Sequence, residues 1–123
     1  MSNAQMVQHI NDAMKAHIAW KIRLLNVINT GATELTPEVV ACDDRCDFGQ
    51  WLHGPKIDGQ TRAGMPYQVI VRLHAEFHKV ASQVLKLAVE GRKQAAEQLL
   101  NGDYYTKSQK LVTALVKWKG ELS

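Results

Sequence analysis

Apolar side chains recur at three- and four-residue intervals along most of the chain. Val7, Ile10, Met14, His17, Leu24 and Ile28 share one stripe, with Lys21 its one charged member, and no glycine or proline falls between Gln5 and Thr30. This spacing predicts an amphipathic α-helix of about seven turns, with Gly31 placed to end it. A second stripe, Tyr67, Ile70, His74, Phe77, Ala81, Val84 and Ala88, runs from Pro66 to just before Gly91. A shorter helix is expected from about Arg92 to Asn101, broken by Gly102. A last helix is then capped by Asp103 and carries Tyr104, Ser108, Leu111, Leu115, Trp118 and Leu122 on one face.

The segment between the first two stripes has another character. Residues 31 to 66 hold five of the eight glycines and all three prolines, so long regular structure is not expected there. Two short helical turns are. Thr36-Pro37-Glu38 supplies an N-cap followed by proline at the first helical position. Asp43 or Asp44 can cap a second turn running through Cys46 to His53.

Each helix has one apolar face that needs a partner. The expected fold is therefore all-α, an antiparallel four-helix bundle with an additional short helix carrying Cys46, in a single domain over residues 1–123. Met1-Ser2-Asn3-Ala4 reads as a cloning remnant and is set aside. The chain has no internal repeat and no apolar run long enough to span a bilayer. No secretory signal and no phosphate-binding glycine motif occurs, which removes the usual marks of nucleotide enzymes. The 15 basic and 12 acidic residues give a net charge of +3 with no basic block, too mild a balance to indicate nucleic acid. Two cysteines without an export signal point to a reducing, cytoplasmic setting.

Candidate chemistry lies on these elements. His74 and His78 form H-x-x-x-H on the second long helix, one turn apart on one face, where both imidazoles can reach one metal ion. Alone the pattern is weak, and Ala75 stands where a zinc protease has its glutamate. His17 sits in the apolar stripe of the first helix, where a buried imidazole needs a hydrogen-bond partner or a ligand. Cys46 lies at the start of a short helix, where backbone N–H groups favour a thiolate; Cys42 is the competing thiol. Phe48, Trp51 and Leu52 give the Cys46 turn an apolar face. Cys46 is 29 positions after His17, and His74 is 28 after Cys46. Three nitrogens and one sulfur make a closed tetrahedral set suited to Zn(II), whereas a catalytic zinc keeps a position open for water. Glu76 stands about 200° around the helix from His74 and should not ligate with it. His9 and His53 fall outside the pattern. Trp51 and Trp118 read as core aromatics.

The stretches His17-Ile18-Ala19-Trp20-Lys21, Cys46-Asp47-Phe48-Gly49-Gln50-Trp51 and His74-Ala75-Glu76-Phe77-His78, in this order and at these separations, resemble the chemoreceptor zinc-binding (CZB) domain family over roughly residues 6 to 120. The resemblance implies a four-helix bundle with an extra short helix and one zinc on His17, Cys46, His74 and His78. It also implies a non-catalytic, cytoplasmic sensory module that forms homodimers. Its signalling partner would be a chemoreceptor segment or a diguanylate cyclase, and neither is in this sequence. Leu25 and Val71, left beside the main apolar faces, are the expected interface residues. No nucleic acid or membrane partner is expected. Two other readings stand beside this one: a metal-free helical dimerisation or adaptor domain, and a di-iron carrier bundle. The second needs inward carboxylates that the stripes do not supply.

Overall fold

A computed structural model describes residues 3–31, 33, 35–42 and 46–122. Among these residues the regular structure is entirely helical. The elements are α1 (Asn3–Thr30), α2 (Pro37–Val40), α3 (Asp47–His53), α4 (Gly59–Ala63), α5 (Met65–Val89), α6 (Lys93–Leu99), a π-helical turn (Leu100–Tyr104) and α7 (Tyr105–Leu122). Asn3 and Ala4 belong to α1. Gly31 ends that helix at φ +70°, and its N–H donates to the Val27 carbonyl at 2.6 Å. This left-handed stop is one that glycine takes without a Cβ penalty.

Pattern and structure part company at Gly102. It does not break the chain. Helical dihedrals persist at Leu99, Leu100 and Tyr105, so α6, the π turn and α7 run on from Lys93 to Leu122, and Asp103 caps nothing. Burial of Leu100 and Tyr104 on the inner side of the turn outweighs the roughly 1 kcal/mol that glycine costs a helix interior. The extra residue of the π turn keeps both side chains facing inward.

The long members of the bundle are thus three: α1, α5 and the α6–α7 rod. Ring contacts and an ion pair set their directions. Tyr67 meets Trp118, Glu76 meets Lys107 and Phe77 meets Tyr104, so α7 is antiparallel to α5. His17 packs on Phe77 and Trp20 on His78, while His9 reaches the Tyr67 end through Trp51 and Trp118. Hence α1 runs parallel to α5, and the expected antiparallel order holds for α7 alone. A parallel pair needs a long crossover, and residues 31–64 provide it, carrying α2, α3 and α4.

Both helical turns expected in the crossover are present. Thr36 caps α2, its hydroxyl accepting from the Val39 N–H, and Pro37 takes the first position. The cap of α3 is Cys46 itself; Asp43 and Asp44, the expected caps, lie outside the described residues. A third turn, α4, was not foreseen. The Asp58 carboxylate accepts from the Thr61 N–H at 2.7 Å and starts it.

Candidate metal centre

Two struts hold the Cys46 turn over α5. On the near side, α2 is tied down by the Ser82 hydroxyl, which donates to the Pro37 carbonyl at 2.7 Å. His78 Nδ1 lies 2.8 Å from the Val40 carbonyl. On the far side, α3 buries Phe48, Trp51 and Leu52. Phe48 meets the His74 ring edge-on at 5.1 Å, and Trp51 stacks on His9 at 4.7 Å. Tyr67 donates to the Leu52 carbonyl at 2.8 Å. Arg62 donates to the Ile57 carbonyl and the Tyr67 hydroxyl, both at 3.1 Å, and to the Gly54 carbonyl.

Between the struts three ligating atoms converge. His74 Nε2 and His78 Nε2 are 3.0 Å apart, and Cys46 Sγ is 3.4 Å from the first and 3.5 Å from the second. A tetrahedral zinc with bonds of about 2.0–2.1 Å to nitrogen and about 2.3 Å to sulfur separates two nitrogens by about 3.3 Å and nitrogen from sulfur by about 3.6 Å. The sides of the triangle, 3.0, 3.4 and 3.5 Å, fall short of those separations by no more than about 0.3 Å. Among the described residues, Cys46, His74 and His78 form the cluster of metal-ligating side chains close enough to share an ion.

Protons support the same reading. A carbonyl can only accept, so His78 Nδ1 carries the hydrogen it donates to Val40 and Nε2 turns a lone pair toward the cavity. His74 Nδ1 is buried without a hydrogen-bond partner, as is His17 Nδ1. His74 Nδ1 is without a partner in either tautomer, whereas the facing Nε2 atoms of His74 and His78, 3.0 Å apart, present two nitrogens that a cation between them would engage together. Burial, then the neighbouring His78, pulls His74 down to about 3 and His17 down to about 4. The imidazoles are therefore neutral, as metal ligands must be. Burial pushes the Cys46 thiol up, against the N–H groups of Gly49, Phe48 and its own residue. Gly49 N–H donates to Sγ at 3.3 Å. A divalent cation would reverse that balance and hold the thiolate.

His17 stands apart from the triangle but on the same cavity. It is 8% exposed, packs edge-on against Phe77 at 4.2 Å, and lines a cavity of about 650 Å³ together with Cys42, Cys46, His74 and His78. The remaining candidates lie elsewhere. His53 is exposed. Glu76 pairs with Lys107 at 3.3 Å. Trp51 and Trp118 are core aromatics as expected, 5.9 Å apart. Sequence reasoning missed the Val40 carbonyl, Ser82 and the Arg62–Tyr67 clamp. A backbone acceptor leaves no mark on a sequence. Ser82, one turn beyond His78 on the same stripe, did offer a signal.

A thiol and two imidazoles converging on one point of a helical bundle, with the His78 ring fixed from behind by the Val40 carbonyl, define a zinc-binding domain. The family model for the chemoreceptor zinc-binding domain matches residues 17–85, a stretch that begins at His17 and includes Cys46, His74 and His78. The chain belongs to that family. No curated protein and no solved structure matches the chain significantly. No helix among the described residues is long and apolar enough to cross a membrane.

Proposed function

We propose that this domain is a non-catalytic regulatory module of bacterial signalling, of chemotaxis or cyclic-di-GMP type, working in the cytoplasm as a homodimer. One Zn(II) is held by His17, Cys46, His74 and His78. The observation that carries the reading is the triangle of Cys46 Sγ, His74 Nε2 and His78 Nε2. His17, which lines the same cavity, would supply the fourth ligand, and four protein ligands would leave no position for a reacting water.

Zinc couples three elements: α1 through His17, α5 through its two histidines, and the α3 turn through Cys46. The α3 turn is the shortest of these and the cheapest to release. Loss of the Cys46 ligand would free its N-terminus while α1, α5 and α7 keep their shared core. The homodimer reading is supported by α1. Ile18, Ile22 and Leu25 lie at four- and three-residue spacing and are 68%, 55% and 37% exposed. Of the two expected interface residues Leu25 is at the surface, whereas Val71 packs against the core.

The test is Cys46→Ala. The variant should stay helical and monodisperse. It should lose more zinc affinity than the roughly 10–100-fold that loss of an outer-shell partner costs, and it should not respond to a peroxide. Global unfolding of the variant, or an unchanged response, would show that the metal is a structural pin rather than a regulatory one.

A further inference from the structure

A second groove, of about 730 Å³, runs between α5 and α7. It faces away from the metal centre, because Arg72 and Glu76 on its α5 wall each stand about 200° around the helix from His74. Charge is concentrated in it. Arg72 on α5 and Lys107, Lys110 and Lys117 on α7 line it with one carboxylate, Glu76. These are four of the chain's 15 basic side chains and one of its 12 acidic ones, so 11 of each sign remain elsewhere and the net charge of +3 falls in the groove. Glu76 pairs with Lys107 at 3.3 Å and ties the two walls together. Arg72, Lys110 and Lys117 are exposed and make no ion pair among the described residues. The floor is apolar: Leu73 and Ala114, both packed against the core. With Tyr67 opposite Trp118 and Glu76 opposite Lys107, Arg72 falls level with the stretch between Lys110 and Lys117. Those two lysines are two helical turns, about 10 Å, apart along α7.

We infer that the α5–α7 groove is the docking site for an acidic helical segment of a partner protein, one that lays an apolar side chain on Leu73 and Ala114 and brings carboxylates two turns apart to Lys110 and Lys117. The inference rests on the reading of the domain as a signalling module, whose partner it describes by chemistry, and not on the metal. Two antiparallel helices leave a furrow that takes the ridge of a third helix, and α5 and α7 are such a pair. The three unpaired cations repeat at the interval at which a helix presents side chains on one face. Their aliphatic stems extend the apolar floor while their charged heads stay in water. A nucleic acid fits the groove less well. No aromatic side chain lines it for a base to stack on, and Glu76 on its wall repels phosphate. An occupant held by exposed charge over so small an apolar floor binds reversibly and weakens as salt rises. The groove and the two metal-ligating histidines lie on opposite sides of the same helix, α5, so a segment seated there touches the helix that carries His74 and His78 without reaching the site.

The experiment titrates the full zinc-loaded chain into a fluorescein-labelled helical peptide of Glu, Ala and Leu, with Leu at its centre and Glu one turn to either side, and reads fluorescence anisotropy. The expected result is saturable binding that falls as salt is raised and is lost when the peptide's Glu residues are replaced by Gln. Lys110→Glu with Lys117→Glu should weaken it about tenfold, since each reversal removes one exposed attraction and adds one repulsion. Lys15→Glu with Lys56→Glu makes the same change in net charge at exposed positions outside the groove and should bind as the wild type does. Equal loss in both double variants would show attraction to net charge alone and overturn the proposal. So would tighter binding of a single-stranded oligothymidylate that the Lys110 and Lys117 changes abolish, or no peptide binding up to about 1 mM. A wild-type dimer that the Lys110 and Lys117 changes convert to monomer would place a second copy in the groove and overturn it too. Zinc content is measured on the same samples: failed docking by a zinc-loaded chain leaves the metal assignment standing, and a chain without zinc sinks that assignment but not the groove.

Discussion

His78 Nδ1 lies 2.8 Å from the carbonyl oxygen of Val40, the last residue of α2. That bond fixes the ring and its tautomer, and Ser82 holds the same short helix four residues further along α5 by its bond to Pro37. Ser82→Ala should therefore weaken zinc binding without touching a ligand, within the roughly 10–100-fold range of outer-shell losses. Competition with a chromogenic chelator measures it. Unchanged affinity would mean that α2 holds its place without Ser82.

Tyr67→Phe tests the far strut. The hydroxyl donates to the Leu52 carbonyl and accepts from Arg62, and its loss leaves a buried carbonyl without that donor. Urea unfolding of the zinc-loaded protein should show a loss of about 1–3 kcal/mol, with zinc stoichiometry unchanged. A variant as stable as the wild type would show that Arg62 alone holds the clamp.

Acid should weaken the metal-free fold. His17 and His74 sit at about 4 and about 3, depressed by burial from the ordinary 6.5. Between those values and 6.5 the unfolded chain takes up protons that the folded chain refuses, so stability is lost as pH falls through that window. Thermal melts of chelated protein from about pH 8 to about pH 5 should show a falling midpoint below about pH 6.5. A flat profile would place both rings in contact with water.

The α1 stripe makes the dimer testable. Ile18→Glu with Ile22→Glu changes two exposed residues, so it should leave helicity and zinc content unaltered. It should convert a dimer into a monomer in sedimentation at micromolar concentration. A wild-type monomer, or a variant dimer, would remove α1 as the interface.

Much of this architecture was legible in the sequence because it follows from periodicity. The stripes of α1, α5 and α7, the Gly31 stop and the Thr36-Pro37 start are local signals, and His74 and His78 share a face by spacing alone. The failures are also physical. Gly102 reads as a breaker because intrinsic propensity is local, whereas the burial of Tyr104 that overrides it is tertiary. The parallel course of α1 and α5 depends on where the crossover docks, which no stripe encodes. The cap of α3 is the Cys46 sulfur, which accepts the Gly49 N–H, and sulfur is too weak an acceptor for a reading of cap propensities to single it out. The carbonyl of Val40 is invisible to any reading of side chains.

X-ray absorption at the zinc edge of the loaded protein, beside elemental analysis of protein purified without metal affinity, tests the central claim most directly. The expected result is one zinc per chain, bound by one sulfur at about 2.3 Å and three nitrogens at about 2.0–2.1 Å. His17→Ala should replace one of those nitrogens by a water oxygen while the sulfur remains. Two sulfurs per zinc, a wild-type shell with only two imidazoles, or protein that binds no zinc would contradict the assignment of His17, Cys46, His74 and His78.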